Sequence, residues 1–269
     1  MQTTYQDIQV DLPSDGVTRI RLAREKQLNA YSMPMCRELL AAIEAYDRDD
    51  AARVLVLTGA GRAFCAGGDI SGADPDHDHY MQLQLSHARE MRDGIQRVIL
   101  TLTRLDKPTI AMVNGPAVAG GLALALACDF RIAGASAKLG DTSGKFGLLP
   151  DEGGAWLFPR AMGLDRALKM SLLSEVYDAS TAHQLGLVTE VVADAELEAR
   201  TLALAGTLAG RAPLAVRLAK SLIRRSVDLT LEQSQHDAAL SVMISNPSQD
   251  VREGVTAFHE KRAPKFQGR

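Results

Sequence analysis

The sequence predicts an α/β fold with largely parallel strands, followed by a region made only of helices. Over the first 193 residues, short apolar runs typical of buried strands alternate with patterns typical of helices. The strands are expected at residues 16–23, 53–59, 107–113 and 130–133, and the helices at 33–46 and 120–128. In folds of this class, ligand-binding groups gather in the loops that follow the strands.

The second part of the prediction concerns the C-terminal quarter of the chain. Strand patterns stop there, and amphipathic helical patterns occupy residues 194–208, 214–227, 231–244 and 249–261. We therefore divide the chain into a core domain at residues 1–193 and a C-terminal helical region at 194–269. No Gly/Ser-rich linker separates them, so the helical region is expected to pack on the core or on a neighbouring subunit.

Composition narrows the possible partners. The chain has 269 residues with 46% hydrophobic and 23% charged side chains, enough for one substantial core. A formal charge of -3 with scattered lysines and arginines disfavours nucleic acid as a partner. The N-terminal residues do not resemble a secretory signal, and the longest apolar stretch, 117–127, is shorter than the roughly 20 residues needed to span a bilayer.

The cysteines and one polar run are further candidates for a chemical site. Three isolated cysteines, Cys36, Cys65 and Cys128, form neither a disulfide framework nor a metal-binding pair, and together with the composition they predict a cytoplasmic protein without a membrane partner. Cys65 has no histidine in its own segment to activate it and is expected to be a packing residue. The run at residues 74–80 contains histidines and aspartates but is typical of a mobile solvated loop, so no metal is predicted.

Two glycine-containing loops, at residues 63–70 and 114–122, follow predicted strands. Glycine lets a ligand approach the backbone, and the second loop opens a helix whose N-terminal N–H groups favour negative charge. Two such N–H groups converging on one oxygen would form an oxyanion hole. Composition alone also permits two ordinary tight turns. Motifs for dinucleotides, nucleoside triphosphates and serine hydrolases are absent from the sequence.

Three segments resemble the signature segments of the crotonase (enoyl-CoA hydratase/isomerase) superfamily, in the same order. They are LTGAGRAFCAGGDI at 57–70, KPTIAMVNGPAVAGGLALALACDFRIA at 107–133 and REGVTAFHEKRAPKF at 252–266. The resemblance covers nearly the whole chain. It implies a crotonase-like spiral of ββα units, a homotrimer or dimer of trimers, and an acyl-CoA substrate. No separate cofactor is expected, because coenzyme A enters as part of the substrate thioester.

The resemblance also implies roles for particular residues. By position, the two oxyanion-hole N–H groups fall on Gly68 and Gly120. Asp69 is expected to order the first loop rather than react, and Asp129 to be a buried structural carboxylate.

A second set of positions resembles the coenzyme A site of the family: Arg24, Lys26, Ala66, Phe258 and Lys261. Arg24 and Lys26 match basic groups near the adenosine phosphate, to which either cation would be attracted. Phe258 and Lys261 match an adenine-stacking aromatic and a phosphate-pairing lysine that an adjacent subunit often provides. The residues alone equally allow a solvated basic face and ordinary helix packing.

The type of reaction depends on where the carboxylates lie. Family members that hydrate an enoyl-CoA carry two glutamates, at positions that hold Ala123 and Ser143 in this sequence. Asp151 instead falls where the isomerase branch carries its single acid/base carboxylate. One carboxylate suits isomerisation, because it can take a proton from one carbon and return it to another.

Asp151 would need partial shielding from water to become a useful base, and Leu148, Leu149 and Trp156 are expected to provide it. The alternative role for Asp151 is an N-cap of the helix that follows. Glu152 is the second candidate base, although adjacent residues at a helix start point in different directions. His87 could reach the site as an auxiliary group, but a solvated histidine is the simpler interpretation.

Three functions remain open at this point. The favoured one is an enoyl-CoA isomerase with Asp151 as proton shuttle, since LPDEGGAWLFPR and RAPKFQGR resemble the epoxyphenylacetyl-CoA and Δ3,Δ2-enoyl-CoA isomerases. The second is a hydratase (lyase) that uses Asp151 or Glu152. The third is a non-catalytic acyl-CoA-binding homologue, which would bind without turnover.

Overall fold

The computed structural model describes residues 5–72 and 74–269. Its strands are β1 (Ile8–Ser14), β2 (Val17–Leu22), β3 (Val54–Gly59), β4 (Thr109–Val113), β5 (Ala117–Val118), β6 (Phe130–Gly134), β7 (Lys138–Gly140), β8 (Val176–Asp178) and β9 (Glu190–Val192). Its helices are α1 (Met33–Arg48), α2 (His77–Met81), α3 (Ser86–Asp93), α4 (Ile95–Arg104), α5 (Gly120–Ala127), α6 (Gly154–Met162), α7 (Leu164–Leu173), α8 (Ala179–Gln184), α9 (Leu197–Ala209), α10 (Pro213–Ser226), α11 (Leu231–Ser245) and α12 (Gln249–Glu260). All predicted strands and helices are present within a few residues of their expected bounds.

A six-stranded sheet with the order β1-β2-β3-β4-β6-β9 forms the centre of the fold. Only the β1/β2 pair is antiparallel, and the other neighbours run parallel with registers such as Leu55 opposite Thr109 and Ile110 opposite Phe130. Every residue of β3 and β4 is buried. Central parallel strands are covered on both faces, which is why these segments are continuous apolar runs in the sequence.

A second, smaller layer lies beside the large sheet. It contains β5, β7 and β8, and single β-bridges extend it from Ala117 to Cys65 and from Gly68 to Tyr31. The chain therefore passes repeatedly from a strand of the large sheet to a segment of the small layer and then to a helix. This path confirms the expected spiral of ββα units, and it sets both glycine loops side by side in the small layer.

The two faces of the large sheet are packed differently. Leu55, Leu57 and Ala111 belong to the main core, which the helices of the first 193 residues cover. Alternate residues such as Val56 and Ile110 face the other way and pack with buried residues of α9. The helical region thus completes the second face of the sheet, since successive side chains of a strand point to opposite sides.

The helical region is attached further by charges. Lys220 and Arg224 of α10 contact the Asp129 carboxylate at 2.7 Å each, and Asp129 also accepts from the Thr109 backbone N–H at 2.8 Å. Asp129 is therefore a structural carboxylate, as expected. α11 and α12 leave apolar side chains exposed, including Phe258. The trimer and the domain boundary at residue 193 remain predictions.

The expectation of a mobile loop at residues 74–80 is wrong for residues 77–80, which belong to α2. In the first half of the run, Asp74 accepts from the Met33 N–H at the start of α1 at 2.7 Å. Among the described residues no single helix is long and apolar enough to cross a membrane, although a pair bent by 104°, Asp194–Ala209 and Pro213–Ser226, meets length and composition criteria together.

Candidate active site

A cavity of about 790 Å³ opens between the start of α1, helices α3 and α4, and the two glycine loops. Several residues singled out from the sequence line it: Lys26, Ala66, Gly68, His87, Ser143, Asp151 and Glu152. Buried apolar side chains, including Met33, Met91 and Ile95, form part of its wall. A cavity of this size with an apolar wall and a few polar groups suits a small-molecule ligand.

The first glycine loop is held by backbone pairing with Tyr31. The Tyr31 N–H donates to the Gly67 carbonyl at 2.9 Å, and the Asp69 N–H donates to the Tyr31 carbonyl at 3.0 Å. Because these bonds use the residues on either side of Gly68, the Gly68 N–H points away from Tyr31, and it donates to no acceptor within the described residues. Asp69 orders the loop as expected, by accepting from Ser71 and from Arg24.

The second glycine loop presents a similar N–H group, which donates to no acceptor in the part of the chain that the structure describes. Gly120 is the first residue of α5, so its N–H has no partner within the helix. Ala119 before it has φ 50 and ψ -126, a conformation that costs roughly 1–3 kcal/mol for a residue with a Cβ. The Ala119 N–H is bonded to the Gly140 carbonyl at 3.0 Å, which helps to fix this turn.

The two loops touch through their backbones. A Cβ built on Gly67 would lie 3.6 Å from the Gly120 nitrogen, and a Cβ on Gly121 would collide with the Cys65 carbonyl oxygen. A side chain at Gly121 would thus separate the loops. Gly68 and Gly120 therefore lie close together, as two N–H donors for one oxygen require.

Glu152 is the carboxylate that reaches these loops. Its Oε1 accepts a hydrogen bond from the Tyr31 hydroxyl at 3.0 Å and lies 2.7 Å from the position a Cβ on Gly120 would occupy. The residue is only 6% exposed, and Oε2 is buried without a hydrogen-bond partner among the described residues. Burial is the main cause that raises its pKa to about 7, and the charges of Asp151 and Asp141 add to this.

The neighbouring Asp151 is placed differently. Its residue is exposed on the cavity wall, where desolvation raises the pKa of its carboxyl and His87 acts to lower it. It does not cap α6, because Gly153 is the N-cap residue of that helix. Gly153 has φ 137, a conformation that favours glycine, and this turn separates the environments of Asp151 and Glu152.

The expected apolar shielding of Asp151 is not observed. Leu148 and Leu149 line the cavity but are 45% and 68% exposed. Trp156 lies outside the cavity wall, with the Arg160 guanidinium 3.8 Å from its ring centre. The carboxyl group that the surrounding residues shield from water is that of Glu152.

The two positions that carry glutamates in hydratases hold no carboxylate in the cavity. Ala123 is fully buried in α5 and belongs to the main core. Ser143 lies on the cavity wall with its N–H bonded to Asp141 Oδ1 at 3.0 Å. Glu152 is thus the carboxylate placed against the glycine loops.

The residues expected to bind coenzyme A are only partly brought together. Lys26 and Ala66 line the cavity. The Arg24 guanidinium is used inside the protein, where it donates to the Ala30 carbonyl at 2.5 Å and to Asp69 at 2.8 Å. Phe258 is 80% exposed and, like Lys261 at the end of α12, lies away from the cavity of its own chain. Coenzyme A binding by these residues remains a prediction.

Sequence reasoning missed Tyr31, which contacts both glycines and Glu152. It stands 121 positions from Glu152, so no local pattern links the two residues. A polar aromatic directly after a Leu-Asn-Ala segment was the only available signal.

Cys65 is a packing residue as expected, because burial raises the pKa of its thiol to about 12. His87 lines the cavity and pairs with Glu90 at 3.0 Å.

Comparisons with known proteins identify the family to which the chain belongs. The family model described as "Enoyl-CoA hydratase/isomerase" matches residues 13–269. The chain is 36% identical to 1,2-epoxyphenylacetyl-CoA isomerase of Escherichia coli K12 over 94% of this chain and 96% of that protein. It is 35% identical to crotonyl-CoA hydratase of Syntrophomonas wolfei over 90% and 91%. The crystal structure of an enoyl-CoA hydratase from Bacillus anthracis matches with a TM-score of 0.91 at 34% identity, over 98% of this chain and all of that one.

Proposed function

We propose that this chain, which belongs to the enoyl-CoA hydratase/isomerase family, is an acyl-CoA isomerase in which Glu152 transfers the proton. The observation that carries the proposal is the position of the Glu152 carboxylate, buried against Gly120 with a pKa of about 7. A carboxyl group with that pKa is present in both protonation states near neutral pH. It can therefore accept and return a proton in one catalytic cycle.

The proposed reaction starts when the thioester oxygen of a 3-enoyl-CoA accepts hydrogen bonds from the N–H groups of Gly68 and Gly120. The Glu152 carboxylate removes a proton from C2, and the C–H electron pair moves into the thioester to give a dienolate. The two N–H groups stabilise the negative charge that develops on the oxygen. The protonated Glu152 then gives the proton to C4, and the double bond comes to lie between C2 and C3.

The carboxylate positions support isomerisation over hydration. Ala123 and Ser143 stand where hydratases carry their two glutamates, so the chain lacks that pair for activating water. The relatives include both isomerases and hydratases, and hydration is therefore an explicit outcome of the test below. A role as an acyl-CoA-binding homologue without turnover would leave the ionisable Glu152 beside the oxyanion glycines without a use.

The coenzyme A portion is proposed to enter past Lys26 and Ala66, at the mouth of the cavity. Arg24 is proposed to act indirectly, by holding Asp69 and the first loop. In a trimer, Phe258 and Lys261 of an adjacent subunit would complete the site, in accordance with the family resemblance.

The decisive experiment compares Glu152→Gln with Asp151→Asn on a 3-enoyl-CoA and a 2-enoyl-CoA, following double-bond movement by absorbance and water addition by mass. We expect isomerisation by the wild type, a loss of at least about 100-fold in kcat for Glu152→Gln, and less than tenfold for Asp151→Asn. Retained binding of a saturated acyl-CoA checks that both variants are folded. The reverse ranking would assign the proton transfer to Asp151, and hydration alone would exclude the isomerase.

A further inference from the structure

Tyr31 joins the oxyanion loop to the proposed base. Its backbone is bonded to Gly67 and Asp69, so its position relative to the first loop is fixed. Its side chain then crosses the site: the hydroxyl lies 3.3 Å from a Cβ built on Gly68 and 2.8 Å from one built on Gly120. From there the hydroxyl donates to Glu152 Oε1 at 3.0 Å.

The hydrogen bond matters because no other side chain of the described residues donates to the Glu152 carboxylate. Among the described residues, Tyr31 is the only side-chain hydrogen-bond partner of Oε1, and Oε2 has none. A buried carboxylate costs much free energy unless it is hydrogen-bonded, so the Tyr31 hydroxyl stabilises the ionised form together with the backbone N–H of Glu152 itself. Burial and the nearby Glu152 charge keep the pKa of Tyr31 well above its usual value, and the phenol therefore remains a donor.

The other ionisable groups near Glu152 either raise its pKa, opposite to the effect of the Tyr31 hydroxyl, or carry no charge. Asp151 beside it and Asp141, just beyond β7, both raise its pKa. The Cys65 thiol from the first loop stays protonated because its pKa is about 12. Tyr31 is thus the only side chain among these that stabilises the charged base.

We propose that Tyr31 is a positioning residue of the reaction: its hydroxyl holds the Glu152 carboxylate against Gly120 and keeps it ionised when substrate binds. The inference rests on the proposed function of Glu152. It assigns to the hydroxyl a role that packing of the aromatic ring cannot fulfil. Removing the hydroxyl should therefore change the titration of Glu152 as well as the rate.

The test uses Tyr31→Phe, with Tyr177→Phe as the matched control. Tyr177 also donates to a glutamate, Glu175 Oε2 at 2.6 Å, but lies in β8 away from the cavity wall. The titration of Glu152 is read by infrared difference spectroscopy, with Glu152→Gln as the blank, which requires no turnover. Tyr31→Phe should raise the pKa of Glu152 by about one unit, the value of a hydrogen bond to a charged group. Tyr177→Phe should leave it unchanged.

Kinetics provide the second measurement. Tyr31→Phe should lower kcat about tenfold with little change in KM, move the acid limb of the kcat profile to higher pH, and cause no further loss in the Glu152→Gln background. An unshifted Glu152 titration in Tyr31→Phe would overturn the inference, even if Glu152→Gln is inactive. A shifted titration in an enzyme that does not need Glu152 would instead refute the proposed function alone.

A variant that keeps the shape of the ring guards against misfolding. Replacement of tyrosine by 3-fluorotyrosine makes the phenol a stronger donor. The pKa of Glu152 should then fall, opposite to the effect of Tyr31→Phe. A shift in the same direction as Tyr31→Phe, or none, would contradict the role of the hydroxyl.

Discussion

Glu152 and Asp151 are adjacent in the chain but lie at two different ends of the cavity. We call the buried end with Glu152 and Gly120 the inner end, and the exposed end with Asp151 the mouth. Glu152 at the inner end is 6% exposed and lies against Gly120, whereas Asp151 at the mouth is exposed. Both carboxyls have raised pKa values, mainly through desolvation, but only that of Glu152 is raised to about 7. Two adjacent residues thus carry one carboxyl group that is buried and one that is exposed on the cavity wall.

The inner end also differs from the mouth in how little space it leaves. Backbone pairing fixes both glycine loops, and Tyr31 and Glu152 fill the volume above Gly120. The mouth carries exposed side chains, among them Lys26 and Leu149. Substitutions at the inner end should therefore affect chemistry, and substitutions at the mouth should affect binding.

The largest effect is expected from Gly120→Ala. The new Cβ would lie 2.6 Å from Tyr31 Cε1 and 2.7 Å from Glu152 Oε1, so both side chains must move. A displacement of about 1 Å at a reacting group can cost about 100-fold in rate, and we expect a loss of that order in kcat.

Gly68→Ala is the matched control, because the three atoms nearest to its Cβ would all belong to Tyr31, the first of them the hydroxyl oxygen at 3.3 Å. Neither glycine has a positive φ, so the comparison depends on contacts rather than backbone strain. Gly68→Ala should stay within about tenfold of the wild type. Equal losses in the two variants, measured with the same 3-enoyl-CoA, would show that the inner end is not as tightly packed above Gly120 as the distances indicate.

The next effect concerns stability rather than rate. The folded pKa of Glu152, about 7, lies above the 4.5 of an unperturbed glutamate, so the folded state binds the proton more tightly. Its contribution to stability is fully present below pH 4.5 and is lost as the pH rises to about 7. Between pH 5 and 8, the wild type should lose about 2.5 kcal/mol of unfolding free energy relative to Glu152→Gln.

Urea unfolding of both proteins at the two pH values measures this difference. Asp151→Asn is the control at the mouth, and its stability relative to the wild type should change much less over the same range, because an exposed carboxyl is solvated in both states. If Asp151→Asn gave the larger pH-dependent change, the assignment of the two environments would be reversed.

The fold was predictable where one strand or helix carries its own signal. β3 and β4 are buried throughout, and their apolar runs identified them. β5 has two residues and β8 has three, too few for any period to be visible. β1 is mostly exposed at the edge of the sheet and was also missed. These strands form through tertiary pairing rather than local preference.

The same distinction between local signals and tertiary contacts applies to the residues of the site. Gly68 and Gly120 were assigned because their loops resemble the family's signature segments. The structure brings the two loops together, and the role of their N–H groups stays a prediction. The choice between Asp151 and Glu152 depends on the turn at Gly153, whose φ of 137 the sequence does not specify. Tyr31 is joined to Glu152 across 121 positions. Packing between distant segments therefore determines which carboxylate is buried.

The smallest effect is expected at the mouth, from Lys26→Ala. Lys26 is exposed, and a solvated cation contributes roughly 0.2–1 kcal/mol to binding an anion, which corresponds to at most a fivefold rise in KM for an acyl-CoA. The rise should shrink at high salt, and kcat should not change because Lys26 is not among the groups that influence the Glu152 carboxyl. Lys169→Ala, which removes an exposed lysine paired with Glu175 outside the cavity, is the control and should leave KM unchanged. A fall in kcat for Lys26→Ala would mean that the mouth takes part in chemistry, and the distinction between the two ends of the cavity would fail.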